Sequence, residues 1–251
     1  MIISLFNKAL NSFGLEIKKR EEILPVDISS DPLFMKLYGQ CRPYTMTSIE
    51  RMFSLYQCLE YVIKNNLEGE FVECGVWKGG SSMMMALYLK EKGITNRKLY
   101  LYDTFEGMSE PTEADKTFSG EKAKKLLNVQ KKENEDSIWC YSSIDEVRDN
   151  IAITGYPVDN IVLVKGKVED TLQVTLPGPV ALLRLDTDWY ESTKIELEKL
   201  FPLLVSRGIL IIDDFGHWEG AKKAVVEYFS NMHKYPLLHR IDYTGRIMIK
   251  D

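Results

Sequence analysis

Arg184-Leu185-Asp186-Thr187-Asp188-Trp189-Tyr190-Glu191-Ser192-Thr193, taken with Ile211-Ile212-Asp213-Asp214-Phe215, decides how the rest of the chain is read. Each stretch closes an apolar run, residues 180–183 in the first case and 208–212 in the second. Runs of this kind read as parallel strands buried on both faces. The carboxylates then stand at the C-terminal ends of strands, where open α/β sheets bind ligands. Acids converging there repel one another unless a cation lies among them. Asp186, Asp213 and Asp214 are hard oxygen donors suited to Mg²⁺ or another divalent cation. A plainer reading makes them helix caps and solvated loop acids; the recurrence of the pattern at two strand ends favours the ligand site.

Upstream, residues 70–76 form the first buried run, and Trp77-Lys78-Gly79-Gly80-Ser81-Ser82 a glycine-rich turn before a helix over 83–92. Glycine lets a backbone approach a ligand closely, and a helix N-terminus offers free N–H donors. Residues 98–103 read as a second strand ending in Asp103, placed to hold ribose hydroxyls. The turn departs from Gly-x-Gly-x-x-Gly, whose second glycine makes room for a pyrophosphate, so a nucleoside ligand without phosphates fits better.

Between these halves, residues 105–158 are an insertion suited to a lid or a substrate-side element. Within it Ser119 is placed to cap a helix running to Lys131, and 144–153 reads as a second helix. Residues 160–165 are a third strand, and 191–205 and 221–231 are helices. Strands at 238–243 and 246–250 meet tightly at Thr244-Gly245 as an antiparallel hairpin. On the N-terminal side, Thr47 or Ser48 caps a long helix with Met52, Leu55, Leu59, Val62 and Ile63 along one face. Pro25 to Pro43 reads as loop. Residues 1–20 form an amphipathic helix with Ile3, Phe6, Leu10, Phe13 and Ile17 on one side, a face suited to docking or to forming a homo-oligomer. The expected organisation is a helical extension over 1–66 followed by an α/β doubly wound domain over 67–251.

Composition narrows the function classes. A net charge of -5 excludes a general nucleic-acid binder, which needs a basic face. Four cysteines without paired or metal-ligand spacing suit a reduced, cytoplasmic protein. There is no long uninterrupted apolar segment for a transmembrane helix, and the first residues make no convincing signal peptide.

Six stretches together resemble one family. They are 44–48 (Tyr-Thr-Met-Thr-Ser), 71–80 (Phe-Val-Glu-Cys-Gly-Val-Trp-Lys-Gly-Gly), 102–108 (Tyr-Asp-Thr-Phe-Glu-Gly-Met), 183–193, 212–216 and 241–245. The set is similar to the macrocin O-methyltransferases, enzymes that use S-adenosylmethionine and Mg²⁺ to methylate sugar hydroxyls on macrolides and aminocoumarins. The resemblance implies a seven-stranded class I methyltransferase sheet. It implies that Glu73, Gly75, Val76, Gly79 and Ser81 seat the methionine part of the cofactor. Asp103 with Thr104 and Phe105 would hold the ribose, Gly166, Val168 and Glu169 the adenine side, and Thr45, Met46 and Asp186 would also touch the cofactor. Asp186, Asp213 and Asp214 match the metal ligands.

The reaction asks for in-line placement of an acceptor oxygen against an already activated methyl group. A divalent ion would lower the pKa of a hydroxyl, which suits a small-molecule acceptor with two adjacent oxygens. Asp186 is the first candidate for the base, with Asp188 and His217 as alternatives. Trp77, Trp189 and Trp218 either line the pocket or fill space. Competing readings are a phenolic diol as acceptor, a nicotinamide-dependent oxidoreductase, and a non-catalytic binding module on the same fold.

Overall fold

The computed structural model describes residues 24–132, 134 and 137–251. It divides into two compact units, Met1–Pro32 and Leu33–Asp251. The expected amphipathic helix over 1–20 lies outside the described residues. What is described of the first unit holds one short helix, α1 (Val26–Ser29). The division falls after residue 32 rather than after 66, because the long helix expected in the extension belongs to the same unit as the sheet.

The second unit is built on seven strands: β1 (Glu70–Cys74), β2 (Leu99–Asp103), β3 (Ile161–Lys165), β4 (Val180–Leu185), β5 (Leu204–Ile212), β6 (His239–Arg240) and β7 (Arg246–Ile249). Their order is β3-β2-β1-β4-β5-β7-β6. The first five are parallel, and β7 runs antiparallel to both β5 and β6. The chain starts at β1, winds outward through β2 to β3, and returns to β4 on the other side of β1. This reversal opens a crevice at the C-terminal ends of β1 and β4, the ligand position in doubly wound sheets. All six residues of β4 are buried, as the apolar run predicts, and so is Arg184 within it.

Helices cover both faces. Ser48 caps α3 (Ile49–Lys64), its Oγ accepting from the Arg51 amide at 3.2 Å. Met52, Leu55, Leu59 and Val62 bury the expected stripe. α4 (Gly80–Glu91) follows the glycine turn and is buried along nearly its whole length. α7 (Val168–Thr171), α8 (Tyr190–Leu200) and α9 (Glu219–Asn231) lie C-terminal to β3, β4 and β5. Leu197, Leu200, Val225 and Phe229 pack with Val72, Leu183, Leu185 and Leu210 into the main core.

Three local expectations give way. Residues 25–43 hold α2 (Pro32–Cys41) rather than continuous loop. Pro32 sits at the first helical position, where its missing N–H is harmless, and Phe34, Leu37 and Cys41 supply a buried stripe. The helix begun at residue 190 stops at Leu200, since Pro202 follows in a 3-10 turn and Leu204 already opens β5. In the insertion, Ser119 caps nothing. The helix there, α5, is only Ala123–Val129, and α6 (Ile144–Ala152) is capped by Ser143.

The insertion is seated on the sheet's rim. Trp189 and Trp218 meet edge to face at 4.9 Å and pack with Ala123, Leu127 and Ala221. Asp115, also buried, accepts from the Thr112 amide at 2.6 Å and from the Tyr190 amide at 2.8 Å, which ties the insertion to the start of α8. No described helix is long and apolar enough to cross a membrane.

Candidate active site

One cleft, with about 1070 Å³ of empty space counted out to its open mouth, runs along the strand ends. Its two halves are built by different means.

The half over β1 and β2 is made chiefly of backbone. Gly75 has a φ of +83°, and a Cβ there would stand 1.9 Å from the Asp186 carbonyl oxygen. Only glycine lets β1 and β4 close so tightly. A Cβ on Gly80 would strike the Tyr44 carbonyl at 2.6 Å, so α4 starts pressed against the segment 44–47 that forms one wall. Asp103 collects amides: Oδ2 accepts from Val76 at 2.7 Å and Trp77 at 3.2 Å, and Oδ1 from Phe105 at 2.7 Å. Burial pushes its carboxyl up, and these amides oppose the shift by stabilising the anion. Thr104 Oγ1 stands 3.4 Å from Oδ1 as a fourth donor, so Asp103 is ringed by donors at the cleft it lines.

The half over β4 and β5 is made of charged side chains. Arg184, buried within β4, places Nη1 2.6 Å from Glu73 Oε1 and 2.7 Å from Asp186 Oδ2. Its Nη2 lies 3.0 Å from Asp213 Oδ1 and 3.3 Å from Thr47 Oγ1. Arg51, from the first turn of α3, pairs through Nη1 with Asp213 Oδ2 and through Nε with Asp242 Oδ2 at 3.1 Å. Two guanidinium groups thus pair with Glu73, Asp186, Asp213 and Asp242. Asp188 and Asp214 are left to each other. Burial, more than any neighbour, pushes the Asp188 carboxyl up to about 7. Asp214 lies well above the usual range through burial and then the adjacent Asp188. Asp186 is also raised by burial, against the pull of Arg184.

Of the expected residues, Thr45, Met46, Gly75, Val76, Ser81, Asp103, Thr104, Gly166, Val168, Glu169, Asp186, Asp188, Asp213 and Asp214 line this cleft. Glu73, Gly79, Phe105 and His217 do not. Glu73 is buried beneath the wall, held by Ser82 and Arg184, because its alternate strand position points into the core. Gly79 caps α4 in a left-handed conformation. Phe105 is buried and contributes its amide to Asp103. The His217 ring is half-buried against Phe118, Trp218 and Tyr243, and burial lowers its pKa. Trp77 lines the cleft, whereas Trp189 and Trp218 fill space under the insertion. Arg51 and Arg184 went unread in the sequence, yet a lone arginine inside the run Leu183-Arg184-Leu185 was the available signal. A buried arginine needs paired carboxylates.

The cradle suits an S-adenosyl ligand: backbone in place of side chains where the ligand must approach, amides and an acid at the β2 end, and no phosphate loop. The acids suit a divalent cation by chemistry, and the buried Asp214 Oδ2 lacks a hydrogen-bond partner, whereas Asp213 Oδ1 meets Arg184 Nη2. As arranged, however, no group of three or more His, Cys, Asp or Glu among the described residues is set to hold a metal ion. The positive charge expected among Asp186, Asp213 and Asp214 is supplied here by Arg51 and Arg184.

Comparison with known proteins agrees with this geometry. Residues 39–250 match the macrocin-O-methyltransferase (TylF) family. The chain is 33% identical to the 8-demethyl-8-(2,3-dimethoxy-alpha-L-rhamnosyl)-tetracenomycin-C 4'-O-methyltransferase of Streptomyces olivaceus, over 80% of this chain and 74% of that one. It is 31% identical, with the same coverages, to the demethyldecarbamoylnovobiocin O-methyltransferase of Streptomyces niveus. The solved structure of the O-methyltransferase NovP superposes with a TM-score of 0.72 at 30% identity, covering 82% of each chain.

Proposed function

This chain belongs to the macrocin O-methyltransferase family of S-adenosylmethionine-dependent enzymes, and from that premise we propose that it methylates a hydroxyl of a sugar carried on a natural-product scaffold, with Asp188 as the base. The observation that carries this reading is the Asp188–Asp214 pair, two half-buried carboxyls in the cleft with no arginine between them. S-Adenosylmethionine supplies the electrophilic methyl group. The protein has to bind the acceptor in line with it and take away one proton.

A general base works best with a pKa near the working pH. Asp186 is a poor choice, since its Oδ2 is tied to Arg184 Nη1 at 2.7 Å rather than turned to the acceptor. Asp188 forms no ion pair among the described residues, and its carboxyl stands near 7. It would accept the hydroxyl proton as the oxygen attacks. Asp103, held in place by the amides of residues 76 and 77, would hold the nucleoside end, and the wall at 44–47 would cover the methionine end.

A divalent cation belongs to the same proposal, held by Asp186, Asp213 and Asp214, and would supply acidification of the acceptor hydroxyl. Arg51 would then give up Asp213, and Asp242 is already its second partner at 3.1 Å. The orphaned Asp214 Oδ2 supports this assignment.

Calorimetric titration with S-adenosylhomocysteine, then with Mg²⁺ in its presence and absence, tests both parts. Rhamnosyl glycosides with free vicinal hydroxyls serve as acceptor probes. Tight binding of the cofactor product, and turnover lost both to a chelator and in Asp214→Asn, are the expected results. Failure to bind the cofactor product would refute the site. Turnover indifferent to a chelator would remove the metal and leave the methyl transfer.

A further inference from the structure

Glu196 has no part in the mechanism above, yet it is completely buried. From the second turn of α8 it reaches back to the residue between the two cleft aspartates: Thr187 Oγ1 donates to Glu196 Oε1 at 2.9 Å. Its other oxygen, Oε2, has no hydrogen-bond partner. Burial pushes this carboxyl well above the usual carboxylate range.

What Thr187 anchors is unusual. Asp188 has a φ of +68°, and the Trp189 amide donates to the Thr187 carbonyl at 2.8 Å. A three-residue turn with that hand at its centre is rare and strained. Such a conformation persists only where its surroundings over-determine it. Here both flanks are held. Trp189 is buried, its Nε1 donating to the Ser109 carbonyl at 3.0 Å, and Ser192 Oγ donates to the Trp189 carbonyl at 3.1 Å. On the other flank, the Thr187 side chain is held by Glu196.

We propose that Glu196 is the positioning residue for Asp188: by holding the Thr187 hydroxyl it keeps the 187–189 turn closed and the Asp188 carboxyl facing the cleft. This rests on Asp188 as the base, and the test separates the two claims. Thr187→Val removes the hydroxyl at nearly constant shape. Glu196→Leu removes the acceptor, and Glu196→Gln keeps a carbonyl in its place. For each variant the readouts are hydrogen exchange at the Trp189 amide, affinity for S-adenosylhomocysteine, and kcat and KM with a rhamnosyl glycoside.

Thr187→Val and Glu196→Leu should each speed Trp189 exchange and lower kcat by about ten- to hundredfold, the scale of a small misplacement of a reacting group. Cofactor affinity should stay unchanged, the double variant should be no worse than either single one, and Glu196→Gln should restore most of kcat. If Glu196→Leu does not fold, Thr187→Val carries the test alone. Unchanged Trp189 exchange and unchanged kcat in a folded Thr187→Val would overturn the positioning role, whatever Asp188 does. Full turnover in Asp188→Asn would instead sink the base assignment and leave Trp189 exchange to decide the turn.

Discussion

The two ends of the cleft hold their acids differently. Over β2, Asp103 is satisfied by three main-chain amides, those of Val76, Trp77 and Phe105. Over β4 and β5, Asp186 and Asp213 are satisfied by guanidinium groups, and Asp188 and Asp214 by little besides each other. A carboxylate held by amides of its own fold has its place set by the chain path, and the amides oppose the rise that burial imposes on it. One held by distant side chains depends on a charge balance that a ligand or a proton can change. The first arrangement suits a binding element that must be ready before the ligand arrives. The second suits chemistry, where charge has to move.

The sharpest way to break this contrast is at Arg184. Arg184→Leu leaves Glu73, Asp186 and Asp213 facing one another without their shared cation. Removing one partner of a buried ion pair costs about 3–5 kcal/mol, so a large drop in the denaturation midpoint is expected. A variant as stable as the parent would show that the acids tolerate burial without the arginine.

Next comes Asp188. Its folded pKa, about 7, lies above the ordinary value of 3.8. Below pH 4 the group is protonated folded or unfolded and contributes nothing to the difference. Between about 4 and 7 the folded state binds the extra proton, so this group's contribution to stability falls as pH rises. Asp188→Asn removes that decline. The variant's melting temperature, relative to the parent, should therefore rise from pH 4 to pH 8, while turnover falls by about 10²–10⁴. A difference in melting temperature that does not change with pH would refute the raised pKa.

The smallest effect is expected at the amide-held end. Asp103→Ala leaves three amides without their acceptor, at about 1–3 kcal/mol for a buried unsatisfied group. It should lower both the unfolding free energy and the affinity for S-adenosylhomocysteine. Unchanged affinity would remove Asp103 from the cofactor site.

Legibility in the sequence followed the same division. Asp103, Gly75 and the segment 44–48 were readable because a strand, a glycine turn and a helix cap are local patterns whose geometry follows from a few consecutive residues. The acids at 186, 188, 213 and 214 were readable as strand-end carboxylates. Their partners were not. Arg51 and Asp213 are 162 residues apart and Arg184 and Glu73 are 111 apart, and no local periodicity encodes such pairings. Glu73 was misread for the same reason: its neighbours in sequence suggested the ligand, while strand alternation turned its side chain toward Arg184.

By itself, then, the sequence determined the order of strands and helices, the buried runs and the place of the acids at strand ends. These follow from hydrophobic periodicity, which one short segment can express. Only the tertiary structure decided which acids are paired with arginine, which are left to each other, and which glycine must be glycine. Burial and charge compensation depend on distances between segments that meet only when the sheet has closed.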